Sequence, residues 1–139
     1  LPITVKVKEI MDKNVATVDS SSPASQAIEK MIQAGVWSLI VERQGLPVGV
    51  VTDRDILRRC AAMGHYPDKV KVEEIMSSPI ITIEPDATVG EAMRTLISKE
   101  IRRLYVVEGG RITGRVTQTG LFRNMLDIIM TLASLPYQL

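Results

Sequence analysis

The run GVVTDRDI, Gly49 to Ile56, returns in a weaker form as GRVTQTGL, Gly114 to Leu121. Each passes from a glycine through apolar residues to a threonine and then into apolar residues at helical spacing. Asp55 stands three residues after the first threonine, and Gly120 stands three after the second. Moving outward from this pair, a shift of 65 residues lays the chain on itself without a gap. VKEIM (Val7 to Met11) falls on VEEIM (Val72 to Met76), and Thr17, Ala27, Ile32, Leu39 and Val41 fall on Thr82, Ala92, Ile97, Leu104 and Val106. Over residues 7–58 against 72–123, 14 of 52 positions are identical. Two copies at so long a period indicate duplication of one supersecondary unit, because a solenoid needs at least three stacked repeats. One copy alone is too short to bury a sufficient core, so the two are expected to pack together.

Because the pattern occurs twice, each element can be read twice. Val15, Ala16 and Val18, like Ile80, Ile81 and Ile83, form a short apolar run before a Ser/Pro/Asp turn and predict a first strand. Ala24, Ala27, Ile28, Met31 and Ile32 then recur at helical spacing, as do Val89, Ala92, Met93, Leu96 and Ile97. Ser22–Pro23 and Asp86–Thr88 supply the start signals. WSLIVE and RLYVVE are buried-strand runs, and RQGLP and GGRIT turn each into a second strand as a hairpin. A second helix follows, carried by Ile56, Leu57, Cys60 and Ala61 in one copy and by Leu121, Phe122, Met125, Leu126 and Ile129 in the other. The unit is β-α-β-β-α. The expected fold class is α/β (α+β), with repeats over 5–64 and 72–134, a connector over 65–71, and the two packed as a pseudo-twofold pair.

Bulk composition excludes several function classes. A hydrophobic content of 45% with 24% charged residues is that of a globular chain. A net charge of +1 gives no global attraction to nucleic acid or an anionic membrane. The single cysteine, Cys60, rules out an internal disulfide, and the single histidine, His65, leaves too few ligands for a zinc site. Asp53, Asp55 and Asp68 are not spaced as a metal loop, so no metal is expected beyond one accompanying phosphates. No apolar run is long enough to span a membrane, and LPITVKVKEIM lacks the apolar stretch and cleavage site of a signal peptide. The expected compartment is the cytoplasm. Neither a nucleophile–base arrangement nor a phosphate-binding P-loop is present, so an enzyme is not expected.

A duplicated β-α-β-β-α unit, with EIM before each first strand and G-apolar-Val-Thr-x-x-Asp leading into the last helix, resembles a pair of CBS domains. IRRLYVVEGGRITGRVT, Ile101 to Thr117, is similar to the family's second hairpin. The likeness covers about residues 5 to 130, and no catalytic domain is expected beside it. It implies a regulatory module without enzymatic activity. Such a module binds an adenosine-containing ligand (AMP, ADP, ATP, S-adenosylmethionine or NAD) between the repeats, forms a homodimer and acts on an unidentified protein. No cofactor is required, and an adenine nucleotide is the expected ligand; the alternative reading is a structural dimerisation module with no ligand.

The residues suit that chemistry in one copy. The Asp55 carboxylate has acceptors for two ribose hydroxyls. Thr52 with the backbone N–H groups of the following helix suits a phosphate, and Arg54 adds a charged donor. The resemblance adds Ile80 and Ile81 around the adenine, Ile101 and Arg102 to complete the pocket, and Arg103 on phosphate. A second reading stands beside this one: Thr52-x-x-Asp55 is also the pattern of a capping box. The corresponding second set is Val15, Ala16, Val36 and Trp37 with Thr117 and Thr119. There Gly120 supplies no carboxylate, so one site per chain is expected. Trp37 reads either as a base-stacking platform or as core or interface. The clusters Arg54, Arg58, Arg59 and Lys99, Arg102, Arg103 read as solvated faces, as the wall of a phosphate cleft, or as a nucleic-acid surface. The low aromatic content of 4% disfavours the last of these. The methionines read as core or interface filler, His65 as exposed, and the tail LASLPYQL as a helix end in a dimer contact.

Overall fold

Gln44 and Gly45 both have positive φ, at 53° and 77°, as do Gly109 and Gly110 at 57° and 75°. Two successive left-handed residues make the two-residue turn whose twist matches that of paired strands. Each turn closes a hairpin: β2 (Ser38–Arg43) with β3 (Leu46–Thr52), and β5 (Arg103–Glu108) with β6 (Arg111–Thr117). A short strand, β1 (Thr17–Asp19) or β4 (Thr82–Ile83), adds in parallel to β2 or β5. The computed structural model describes residues 5–136 and contains two three-stranded sheets, β1-β2-β3 and β4-β5-β6. What the sequence suggests for Leu1 to Thr4, and for Tyr137 to Leu139 of the tail, lies outside the described residues.

The helices are α1 (Val7–Ile10), α2 (Ala24–Ala34), α3 (Asp53–Asp55, continuing as a π-helix over Ile56–Ala61), α4 (Val72–Ile75), α5 (Val89–Ser98) and α6 (Gln118–Ala133). Thr88 caps α5 with Glu91 in a reciprocal capping box, as the Asp86–Thr88 signal predicts. Gly35, at φ 66°, ends α2 in the left-handed conformation that glycine adopts without a Cβ penalty. The architecture is the mixed α and β one expected from the sequence.

The compact units are offset from the repeats. One unit is Asn14–Ile81, and the other is Leu1–Lys13 with Thr82–Leu139. Each EIM helix therefore packs with the hairpin of the other repeat. In the Asn14–Ile81 unit, Val72 and Ile75 of α4 join a core of Val18, Ala27, Leu39, Val41, Val51 and Cys60. In the other unit Val7 of α1 is fully buried, and its N–H donates to Ala87 O at 2.8 Å. Apolar side chains drive this placement, since a four-residue helix has no stability of its own in water.

Three expectations change. The first strands start two residues later than the apolar runs do: Val15 and Ala16, like Ile80 and Ile81, precede β1 and β4 and are half-buried. The second helix of the first copy is π-helical, with Ala62 N–H bonded to Leu57 O at 2.8 Å and His65 N–H to Cys60 O at 3.0 Å. Helical spacing also does not separate the buried stripe from an exposed one. Met31 and Leu96 are buried, whereas Ile32 and Ile97 are 73% and 75% exposed.

Candidate functional site

At the end of β3, Thr52 is extended (φ −119°, ψ 165°) and caps α3. Its Oγ1 accepts the Asp55 N–H at 3.1 Å, and the Asp55 carboxylate accepts the Thr52 N–H at 3.0 Å. This is the reciprocal capping box, and it satisfies two donors that a helix start otherwise leaves open. The Asp55 residue is only 7% exposed. Burying a carboxylate requires further donors, and Ser77 supplies one. Its hydroxyl donates to Oδ1 at 3.0 Å, with Oδ2 at 3.3 Å. Arg59 Nε lies 4.0 Å from Oδ1, while its Nη1 donates to Met76 O at 2.9 Å. Arg59 thus ties the end of α4 to the helix that carries Asp55.

Gly49 explains how Ser77 reaches that place. Val50 and Ser77 exchange backbone hydrogen bonds at 2.9 and 2.8 Å, so the chain leaving α4 runs alongside β3. A Cβ on Gly49 would lie 2.8 Å from both Ser77 O and Met76 Sδ. Glycine is needed for this close approach. The same segment leads directly to Ile80 and Ile81, which are half-buried in the same unit.

The other unit repeats the backbone pairing and the threonine cap with different side chains around them. Asp12 and Arg115 exchange backbone hydrogen bonds at 2.9 and 2.8 Å, as Ser77 and Val50 do. Gly114 meets Met11, and a Cβ there would lie 2.8 Å from Met11 Cγ and 3.2 Å from Asp12 O. Thr117 Oγ1 accepts the Gly120 N–H at 2.9 Å. Asp12 points its carboxylate at the Arg115 guanidinium, with Nη2 at 2.8 Å and Nε at 3.2 Å.

The structure therefore brings Thr52 and Asp55 together in a capped, buried cluster, with Arg54 exposed beside them. The backbone N–H groups expected to face a phosphate have internal partners: Asp53 N–H donates to Trp37 O at 3.0 Å, Arg54 N–H to Asp53 Oδ1 at 2.9 Å, and Ile56 N–H to Asp53 O. Phosphate recognition by the bare helix start is corrected accordingly, because an N–H already bonded inside the protein is not a ready donor. Ile101, Arg102 and Arg103 belong to the other unit, where Arg102 O accepts the Gln118 N–H at 2.8 Å. In the second set, Val36 is 3% exposed and part of the core of its unit. Trp37 is 67% exposed, which removes its core reading, and Thr119 is exposed. Ser77, Asp12 and Arg115 had no role in the sequence reading, and Arg59 figured there only as one of the basic cluster Arg54, Arg58 and Arg59. The 65-residue shift already aligned Ser77 with Asp12 and Val50 with Arg115, but a side chain's partner across the sheet is not visible in an alignment.

Comparison with known families matches the CBS domain twice, over residues 7–62 and 72–127. An uncharacterized protein of Methanopyrus kandleri is 36% identical over 116 residues, covering 82% of this chain and 59% of that protein, so the chain spans less than two thirds of this relative. The CBS domain-containing protein YhcV of Bacillus subtilis is 32% identical over 121 residues, covering 87% of this chain and 86% of YhcV. Among solved structures, a hexameric CBS-CP12 protein from bloom-forming cyanobacteria superposes with a TM-score of 0.80 at 32% identity, covering 87% of this chain and 68% of that one. The chain belongs to the CBS-domain family and carries two tandem copies of the domain.

Proposed function

We propose that this chain is a non-enzymatic regulatory module that binds an adenosine-containing ligand through its first G-apolar-Val-Thr-x-x-Asp motif. The observation that carries the reading is the buried carboxylate of Asp55, kept in one repeat and replaced by glycine in the other. A cap alone does not account for the difference, since Thr117 caps α6 without an acidic partner. A carboxylate has about four lone-pair directions, and the Thr52 and Ser77 donors leave capacity for a ribose hydroxyl. Arg54 is the charged donor for phosphate, and Ile80 and Ile81 are the apolar contacts for adenine. Control of a partner protein then equals the ligand's differential affinity for the partner-bound and free forms.

Thermal melting with AMP, ADP, ATP, S-adenosylmethionine and NAD tests the reading. A ligand at roughly 100 times its Kd adds about 2.7 kcal/mol and raises Tm accordingly. Arg54→Ala is expected to leave the ligand-free stability within about 0.5 kcal/mol of wild type, because the side chain is exposed. It should weaken phosphorylated ligands by about tenfold or more. No shift with any of the five compounds would remove the adenosyl reading.

Self-association is favoured by a separate observation. Met93, Leu96, Ile97, Ile101, Phe122 and Met125 line an apolar groove between α5 and α6, and Ile97 and Phe122 are 75% and 69% exposed. Apolar surface of this kind on a water-soluble domain marks a contact surface. The proposed occupant is a second copy of the chain. Phe122→Asp is expected to convert a sedimenting dimer to monomer; wild-type protein that stays monomeric as its concentration rises would rule the dimer out.

A further inference from the structure

Three substitutions separate the two motif environments, and they fit together physically. Ser77, Asp55 and Val50 of one unit are replaced by Asp12, Gly120 and Arg115 at the matching places of the other. The backbones agree in the paired strand segment, the threonine cap and the bond into the helix start (Asp53 to Trp37 O, Gln118 to Arg102 O). In the first unit a hydroxyl at position 77 donates to a carboxylate at 55. In the second, the residue at the hydroxyl's place is itself a carboxylate. An acidic side chain at 120 would face Asp12 as Asp55 faces Ser77, and two carboxylates in one site repel.

Space does not explain the glycine. A Cβ on Gly120 would meet Thr117 Oγ1 at 3.0 Å, and no other atom outside the helix's own backbone lies within 4 Å. A relaxation of a few tenths of an ångström in the threonine rotamer admits it, and the first unit holds Asp55 against the same threonine cap. Gly120 has φ in the ordinary range, so its backbone does not demand glycine. Glycine in a helix costs stability relative to other residues. The glycine at 120 is therefore accounted for by charge.

We propose that the residue following each EIM helix is the specificity-determining position of its unit: Ser77 permits and orients an acidic acceptor at the helix start, and Asp12 forbids one. This rests on the adenosyl reading for its functional meaning. Its physical core, the coupling between positions 12 and 120, is measurable without ligand.

The test is a cycle of Gly120→Asp, Asp12→Ser and the double variant, melted without nucleotide. Gly120→Asp alone is expected to lower Tm by roughly 2–5 °C. In the Asp12→Ser background the same change should raise Tm, because it then adds a capping box and removes a helical glycine. Taking the difference within each background cancels the loss of the Asp12–Arg115 pair. An equal shift in both backgrounds would overturn the proposal, as would a neutral Gly120→Asp in wild type, which would mean that Arg115 serves both carboxylates. The reverse cycle in the first unit keeps the outcome readable if the double variant does not fold: Ser77→Asp should destabilise strongly beside Asp55 and less beside Asp55→Gly. Calorimetric titration with ATP then separates the two claims. One site in wild type and two in Asp12→Ser/Gly120→Asp supports both, whereas coupling without heat from ATP, or from AMP, ADP, S-adenosylmethionine or NAD in its place, in any variant supports the position's role and overturns the adenosyl reading.

Discussion

Gly49→Ala is expected to lower the stability of the chain by about 3 kcal/mol, the upper end for adding one methyl group to a packed site. For a domain of this length that corresponds to a fall in Tm of roughly 10 °C. The size follows from what the new Cβ would meet. Ser77 O, at 2.8 Å, is a backbone atom. It accepts the Val50 N–H at 2.9 Å, in a pair whose other bond, Ser77 N–H to Val50 O, is 2.8 Å. Moving it aside stretches both bonds and draws Ser77 away from Asp55. Gly114→Ala should cost less, because its nearest neighbours belong to the flexible Met11 side chain and Asp12 O lies further off, at 3.2 Å. Gly90→Ala supplies the opposite sign. Outside its chain neighbours and the helix's own backbone, its Cβ position meets Thr88 Oγ1 alone within 4 Å, at 3.8 Å, and α5 gains about 0.5–1 kcal/mol from the better helix former. Thermal melting of the three variants should rank them Gly90→Ala, Gly114→Ala, Gly49→Ala from most to least stable. Equal melting of the Gly49 and Gly114 variants would refute the backbone-contact argument.

The duplicated pattern made the elements legible, because each strand and helix could be read in two independent sequences. The hairpin turns followed from Gln44–Gly45 and Gly109–Gly110, whose positive φ is a local backbone property. What remained hidden was non-local. Which hairpin an EIM helix packs on depends on the path of the chain, and VKEIM carries the same apolar pattern whichever repeat it joins. The exposure of Ile32 and Ile97 was hidden for a related reason: a helix whose apolar residues cover two faces shows the same spacing as one that buries them all. At the site, Thr52 and Asp55 were legible as a motif, and the alternatives of cap and ligand acceptor were both visible. Their partner Ser77 was not, since it lies 22 residues away and is brought in by a backbone pair that only Gly49 permits.

Asp55→Ala is expected to cost about 3 kcal/mol without any ligand and also to abolish the ligand-induced rise in Tm. The first effect combines the loss of a cap, about 0.5–2 kcal/mol, with donors left without their acceptor, at about 1–3 kcal/mol. Those donors are the Thr52 N–H and the Ser77 hydroxyl. Arg59 adds little, because its side chain is half exposed and solvated at 4.0 Å from the carboxylate. Asp55→Asn keeps the Ser77 bond to the amide oxygen but turns an NH₂ toward the Thr52 N–H, so roughly half of the stability loss is expected. Stability alone cannot separate a cap from a ribose acceptor, but a comparison variant can. Gly114→Ala weakens the chain in the other unit and leaves the Asp55 carboxylate, the Thr52 cap and the Ser77 bond as they are. It should melt early yet keep the full nucleotide-induced increment, whereas Asp55→Ala should melt early and show none. If both variants keep the increment, the carboxylate is a cap only. If both lose it, the increment tracks stability and says nothing of contact with the ligand. Loss in the Asp55 variant alone assigns the carboxylate both roles: it holds the helix start together and presents its remaining lone pairs to the ligand.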